Sequence, residues 1–183
     1  MPDEMLNLEG ALTAWDGKSG ARIAAVYDAH SDRTGFLARL LTLLPEPRHQ
    51  IGVTWLLKRY LEKQGTVSPL DVVRIYQQFP GVADWEARLH LLQSVPHLPI
   101  ACQQKQTVAM FLRAGLESDK KFVRAWSYSG FFDLSAQHEE FENEMIDLVT
   151  YALAHEPASI QARLRQVLKK QKKWGDYCSN RKT

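Results

Sequence analysis

Apolar residues recur at helical spacing along nearly the whole chain, and no segment alternates with the period of two that a half-buried strand shows. Val53, Leu56, Leu57, Tyr60 and Leu61 follow i, i+3, i+4, i+7, i+8. Val72, Ile75, Tyr76 and Phe79 repeat the pattern, as do Val108, Phe111, Leu112 and Leu116. Two further stripes are Phe141, Met145, Leu148, Val149, Ala152 and Ile160, Leu164, Val167, Leu168. The pair Val72-Val73 hints at a strand, but the spacing around it decides for helix. Amphipathic helices can bury their stripes only against other helices, so the expected class is all-α.

Punctuation divides the pattern. Ser68-Pro69-Leu70-Asp71 offers a hydroxyl N-cap, a proline at the first helical position and a carboxylate at the third. Gly65 sits where a left-handed C-cap would end the preceding helix. Pro45 and Pro47, Pro80-Gly81, and Pro96 to Pro99 separate other helices, and Pro157 fits a first turn. These breaks predict helices over residues 4–15, 18–30, 33–44, 48–64, 68–79, 83–94, 101–117, 119–135, 138–155 and 157–173. The loops are short, which makes consecutive helices antiparallel hairpins. Residues 174–183 read as a frayed polar tail.

The chain has 183 residues, 45% apolar and 24% charged, which fits one folded domain over 1–183 and argues against disorder. A net charge of +2 does not mark the whole protein as a nucleic-acid binder, although a local patch can still be basic. Met1 to Leu6 shows no basic or apolar leader, and no apolar run reaches the ~18 residues of a membrane span. Cys102 and Cys178 have no metal-ligand spacing and read as one buried hydrophobe and one tail thiol. Reduced thiols suit a cytoplasmic location.

A basic residue recurs early in alternate helices. Glu86-Ala87-Arg88-Leu89 matches Phe122-Val123-Arg124-Ala125 and Gln161-Ala162-Arg163-Leu164, with Arg48 as a weaker fourth copy. An acid precedes each clear copy: Asp84, Asp119 and Glu156. This pattern resembles HEAT repeats, helical hairpins of about 40 residues. The best match is Asp119-Lys-Lys-Phe-Val123-Arg124-Ala125-Trp126. The resemblance covers residues 33 to 173 and implies a right-handed α-solenoid of about four HEAT-like hairpins, with residues 1–31 as a helical cap. A compact non-repeating bundle is the alternative. Gly10, Gly17, Gly20 and Gly35 loosen the cap region.

Motifs of chemistry are missing. The sequence holds no phosphate-cradling glycine loop, no His-Glu-x-x-His and no nucleophile elbow. His138-Glu139-Glu140-Phe141-Glu142 lacks a second histidine and reads as an acidic first turn. The expectation is therefore a protein with no catalytic residue, no metal and no cofactor.

Arg124-Ala-Trp126-Ser-Tyr128-Ser-Gly130-Phe-Phe-Asp133 is unusually aromatic. One reading is core, with Phe122, Trp126 and Phe131 widening a buried stripe and Gly130 admitting a close neighbour. The other is an aromatic and charged binding face. The resemblance extends to DNA glycosylases built of HEAT-like repeats, which set aromatic faces and an Asp against a cationic base. Trp126, Tyr128 and Asp133 are the residues that would imitate them, although 183 residues is short for that family. Lys169-Lys170-Gln171-Lys172-Lys173-Trp174 either stabilises a helix C-terminus or forms a basic patch.

The leading expectation is a scaffold that binds a protein partner on a concave face through Arg88, Arg124, Trp126, Tyr128, Arg163, Lys169 and Lys170. The arginines can instead bridge hairpins by reaching a neighbour's acid. Nucleic-acid binding is the alternative function.

Overall fold

The computed structural model describes residues 2–170, with side chains from Leu8 to Lys169, and the described residues are helical with no strand. The ten α-helices are α1 (Pro2–Ala14), α2 (Gly20–His30), α3 (Phe36–Leu43), α4 (Gln50–Glu62), α5 (Pro69–Gln78), α6 (Trp85–Ser94), α7 (Lys105–Leu116), α8 (Lys121–Gln137), α9 (Glu142–His155) and α10 (Ala158–Lys170). Each falls inside or beside a range that periodicity predicts. The segment 171–173 of the last predicted helix and the tail 174–183 lie outside the described residues.

The protein divides into two compact units, Met1–Thr107 and Val108–Thr183. In the first, α2 and α3 pack on α4, α5 packs on α3, and α6 lies along α4. Its core is the predicted one: Val53, Leu56, Leu57, Val72, Ile75, Tyr76 and Phe79 are all buried. Each such side group contributes about 1.5–3 kcal/mol of apolar burial. Ser68 caps α5 as expected, its Oγ accepting from the Asp71 amide and donating to the Asp71 carboxylate at 2.7 Å. The end of α4 differs from expectation. The left-handed residue is Gln64 (φ 60°), not Gly65. Gly65 is required for space, because a Cβ there would run into the Tyr60 ring.

In the second unit α10 packs on both α8 and α9. Phe131, Phe132, Leu134, Met145, Val149, Leu164 and Leu168 form its core. Gly115 and Gly130 let α7 and α8 close on each other, since a Cβ on either would overlap Ser127 or Leu112 of the facing helix. Two sequence expectations fail here and in the preceding loop. Phe122 is 58% exposed rather than part of the buried stripe, because it sits in the first turn of α8, facing outward beside Lys121. Cys102 is exposed rather than buried, since residues 102–104 form a turn before α7 begins.

Candidate functional site

The aromatic helix α8 presents two different polar faces, because residues two apart on a helix point nearly opposite ways. Arg124 and Tyr128 share one face at i, i+4. Trp126, Ser129 and Asp133 share the other at i, i+3, i+7.

The first face is closed on itself. Arg124 Nε donates to both oxygens of Glu156 at 3.0 and 3.2 Å, and its Nη2 donates to Glu156 Oε2 at 3.1 Å. Arg124 Nη1 donates to the Ser118 carbonyl at 2.8 Å, and the Tyr128 hydroxyl donates to Glu156 Oε1 at 3.2 Å. The Glu156 side chain is only 8% exposed and the Arg124 side chain only 20%, so the pair works in low dielectric. Burial, and then the carboxylate beside it, pushes the Tyr128 hydroxyl far above its usual range, so it remains a donor. This set forms the floor of a cleft of about 390 Å³ walled by Leu148, Tyr151 and His155. Every Arg124 nitrogen and the Tyr128 hydroxyl already donates to a protein partner there.

Arg88, in the first unit, repeats part of this arrangement. Its Nε donates to the Val82 carbonyl, six positions back, at 2.8 Å, where Arg124 reaches the Ser118 carbonyl, also six back, through Nη1. In both helices the guanidinium ties the first turn to the loop that precedes it. The acids before them act differently. Asp84 caps α6 by accepting from the amides of Glu86 and Ala87. Asp119 is exposed and pairs with Lys120. Arg48 lies in the short turn before α4, exposed, donating to Glu9 at 3.0 Å.

Arg163 departs from this pattern. Gln161 takes the backward bond, its Nε2 donating to the Glu156 carbonyl at 2.8 Å. Arg163 instead reaches across to α8. Its guanidinium carbon lies 3.5 Å from the centre of the Trp126 ring, a close cation–π stack. Its Nε donates to Ser129 Oγ at 3.0 Å. Ser129 in turn donates to the Ala125 carbonyl at 3.2 Å, which orients the hydroxyl oxygen toward the arginine. Trp126 and Arg163 are half-buried, and Ser129 is buried.

Asp133 completes the cluster. Its carboxyl has no hydrogen bond or ion pair among the described residues. Burial raises that carboxyl to about 6, against a smaller opposing pull from Arg163. Burial lowers Arg163 in turn, against a smaller pull from Asp133, so desolvation outweighs attraction on both sides. A carboxyl raised from its ordinary 3.8 adds no penalty below that pH, and its ionisation destabilises the fold as pH rises through 6. Asp133→Asn is therefore expected to leave stability unchanged near pH 4 and to raise it by about 2 kcal/mol near pH 7.5. Urea unfolding at both pH values measures this, and an equal effect at the two would contradict it.

The structure thus brings Trp126 and Arg163 together and sets Tyr128 on the opposite face. Lys169 is exposed near the end of α10, and the side group of Lys170 lies outside the described residues. Ser129 joins the site beyond what sequence reasoning proposes, although its i+3 spacing from Trp126 is legible. Among the described residues no group of histidine, cysteine and acid side chains could hold a metal ion. No described helix is long and apolar enough to cross a membrane. The protein matches no protein-family model, no curated protein and no solved structure at a significant level.

Proposed function

We propose that this protein is a non-catalytic, cytoplasmic scaffold of HEAT-like helical hairpins that binds a protein partner through the Trp126–Arg163 face of α8 and α10. The observation that carries this reading is the stack itself. An arginine held 3.5 Å over a half-buried tryptophan ring is the kind of partly desolvated pair that dominates protein interfaces. The hairpins of the proposed solenoid are α3/α4, α5/α6, α7/α8 and α9/α10, behind a cap of α1 and α2. Two facts favour a repeat. The second helices pack on each other within each unit, α6 on α4 and α10 on α8. Arg88 and Arg124 also each donate to the carbonyl six positions back, through Nε and Nη1 respectively. On this reading those two arginines are structural, with Tyr128, and binding falls to Trp126, Arg163 and Lys169.

A photo-crosslinking residue in place of exposed Gln166, one turn from Arg163 on the same side of α10, tests the reading in cells. Discrete protein adducts are expected from position 166 and none from Arg74, exposed in the first unit. Adducts to nucleic acid, or equal adducts from both positions, would contradict it.

Nucleic-acid binding is the second reading, favoured by exposed Arg165 and Lys169 at i, i+4 on α10. It predicts micromolar duplex affinity that collapses between low and near-physiological salt. The glycosylase variant draws less support, because Tyr128 does not face Trp126 and Asp133.

A further inference from the structure

Arginines of the second unit differ in how far their donors are used. Arg113 donates through Nε and Nη2 to the two oxygens of Glu144 at 2.7 Å each. Arg124 spends Nε, Nη1 and Nη2 on Glu156 and the Ser118 carbonyl. Arg163 spends Nε alone, and its two Nη groups meet no acceptor among the described residues. A guanidinium cannot shed its charge to escape that position. The Trp126 ring and the Ser129 hydroxyl fix its plane, so the unused donors are already oriented.

A fixed planar fork with free donors matches a planar carboxylate, which accepts two parallel hydrogen bonds. Asp133 does not fill the role. It stands close enough to feel the cation but makes no hydrogen bond or ion pair to it. Its own negative charge also discriminates between anions, opposing a doubly charged phosphate more than a singly charged carboxylate. Resting on the protein-partner reading, we propose that Trp126, Ser129 and Arg163 form a receptor for a carboxylate group of the partner, from an acidic residue or from the partner's C-terminus. Trp126 and Ser129 hold the guanidinium, and its two Nη groups grip the carboxylate at the rim of α8 and α10.

The test follows the Arg163 Nε–H and Trp126 indole signals of the full-length protein by nitrogen-15 NMR during three peptide titrations. The probes are acetyl-tetraglutamate amide, acetyl-tetraglutamine with a free C-terminus, and acetyl-tetraglutamine amide. Saturable shifts are expected with one or both of the carboxylate-bearing peptides and none with the third. The first two distinguish the carboxylate of an acidic residue from a terminal one. Arg163→Lys keeps the charge but loses the fork, and is expected to weaken binding by at least ~10-fold. Asp133→Asn removes the competing charge and is expected to strengthen it by ~3-fold. Absence of any shift, unchanged affinity in Arg163→Lys, or tighter binding of inorganic phosphate than of either acidic peptide would overturn the proposal. If it is overturned while position 166 still crosslinks to protein, acid recognition falls and the partner reading stands.

Discussion

Replacing Arg124 with alanine is expected to cost about 3–5 kcal/mol of stability, one of the two largest effects anticipated for this protein. The reason is what the substitution leaves behind. The Glu156 side chain is 8% exposed, and with Arg124 gone its charge keeps only the Tyr128 hydroxyl. The Ser118 carbonyl also loses its partner, which loosens the turn before α8. Removing the whole polar set should cost far less than removing one member, because no buried charge remains. The triple change Arg124→Met, Tyr128→Phe, Glu156→Leu is therefore expected to lie within about 1 kcal/mol of the parent. Urea unfolding measures both. A loss under about 1 kcal/mol in Arg124→Ala would show that the pair is solvated and that α8 does not depend on it.

The second large effect is steric. Gly115→Val is expected to cost about 3 kcal/mol, since its Cβ alone would overlap the buried Ser127 hydroxyl on the facing helix. Ser127 has little room to yield, because its Oγ donates to the Val123 carbonyl at 2.9 Å. A smaller pair of substitutions gives a sharper test. Gly115→Ala alone should destabilise, yet Gly115→Ala with Ser127→Ala should recover to the parent value or above it. The second change opens the space, and alanine exceeds glycine by up to about 1 kcal/mol in a helix interior. Additive losses in the double variant would mean that the two helices do not meet at these residues.

The helices were legible because the signal that makes them is local. The stripe from Val53 to Leu61, the cap at Ser68 and the breaks at the prolines act within a turn or two of backbone. What was illegible depends on packing. Gly65 shows no special backbone angle, and only the Tyr60 ring explains it. Phe122 looks like core beside Phe131 and Phe132, yet its place in the first turn of α8 leaves it outside. The recurring arginines illustrate the limit best. Arg88, Arg124 and Arg163 stand in similar sequence settings, but Arg163 turns to another helix while Gln161 makes the backward bond. Part of the candidate site could have been read without coordinates. Trp126, Ser129 and Asp133 share a helical face, and Tyr128, two residues from Trp126, cannot join them.

The proposed partner binding through Arg163 is best probed by affinity capture from nuclease-treated lysate, quantified by mass spectrometry, with the parent protein, Arg163→Glu and Arg33→Glu compared side by side. Arg33 is exposed in the first unit and serves as the control charge reversal. The expected result is a protein enriched equally by the parent and by Arg33→Glu, and depleted at least ~30-fold by Arg163→Glu, the scale of an interface anchor. The same proteins captured by all three baits would contradict that expectation, and so would enrichment that vanishes in the parent once nucleic acid is digested.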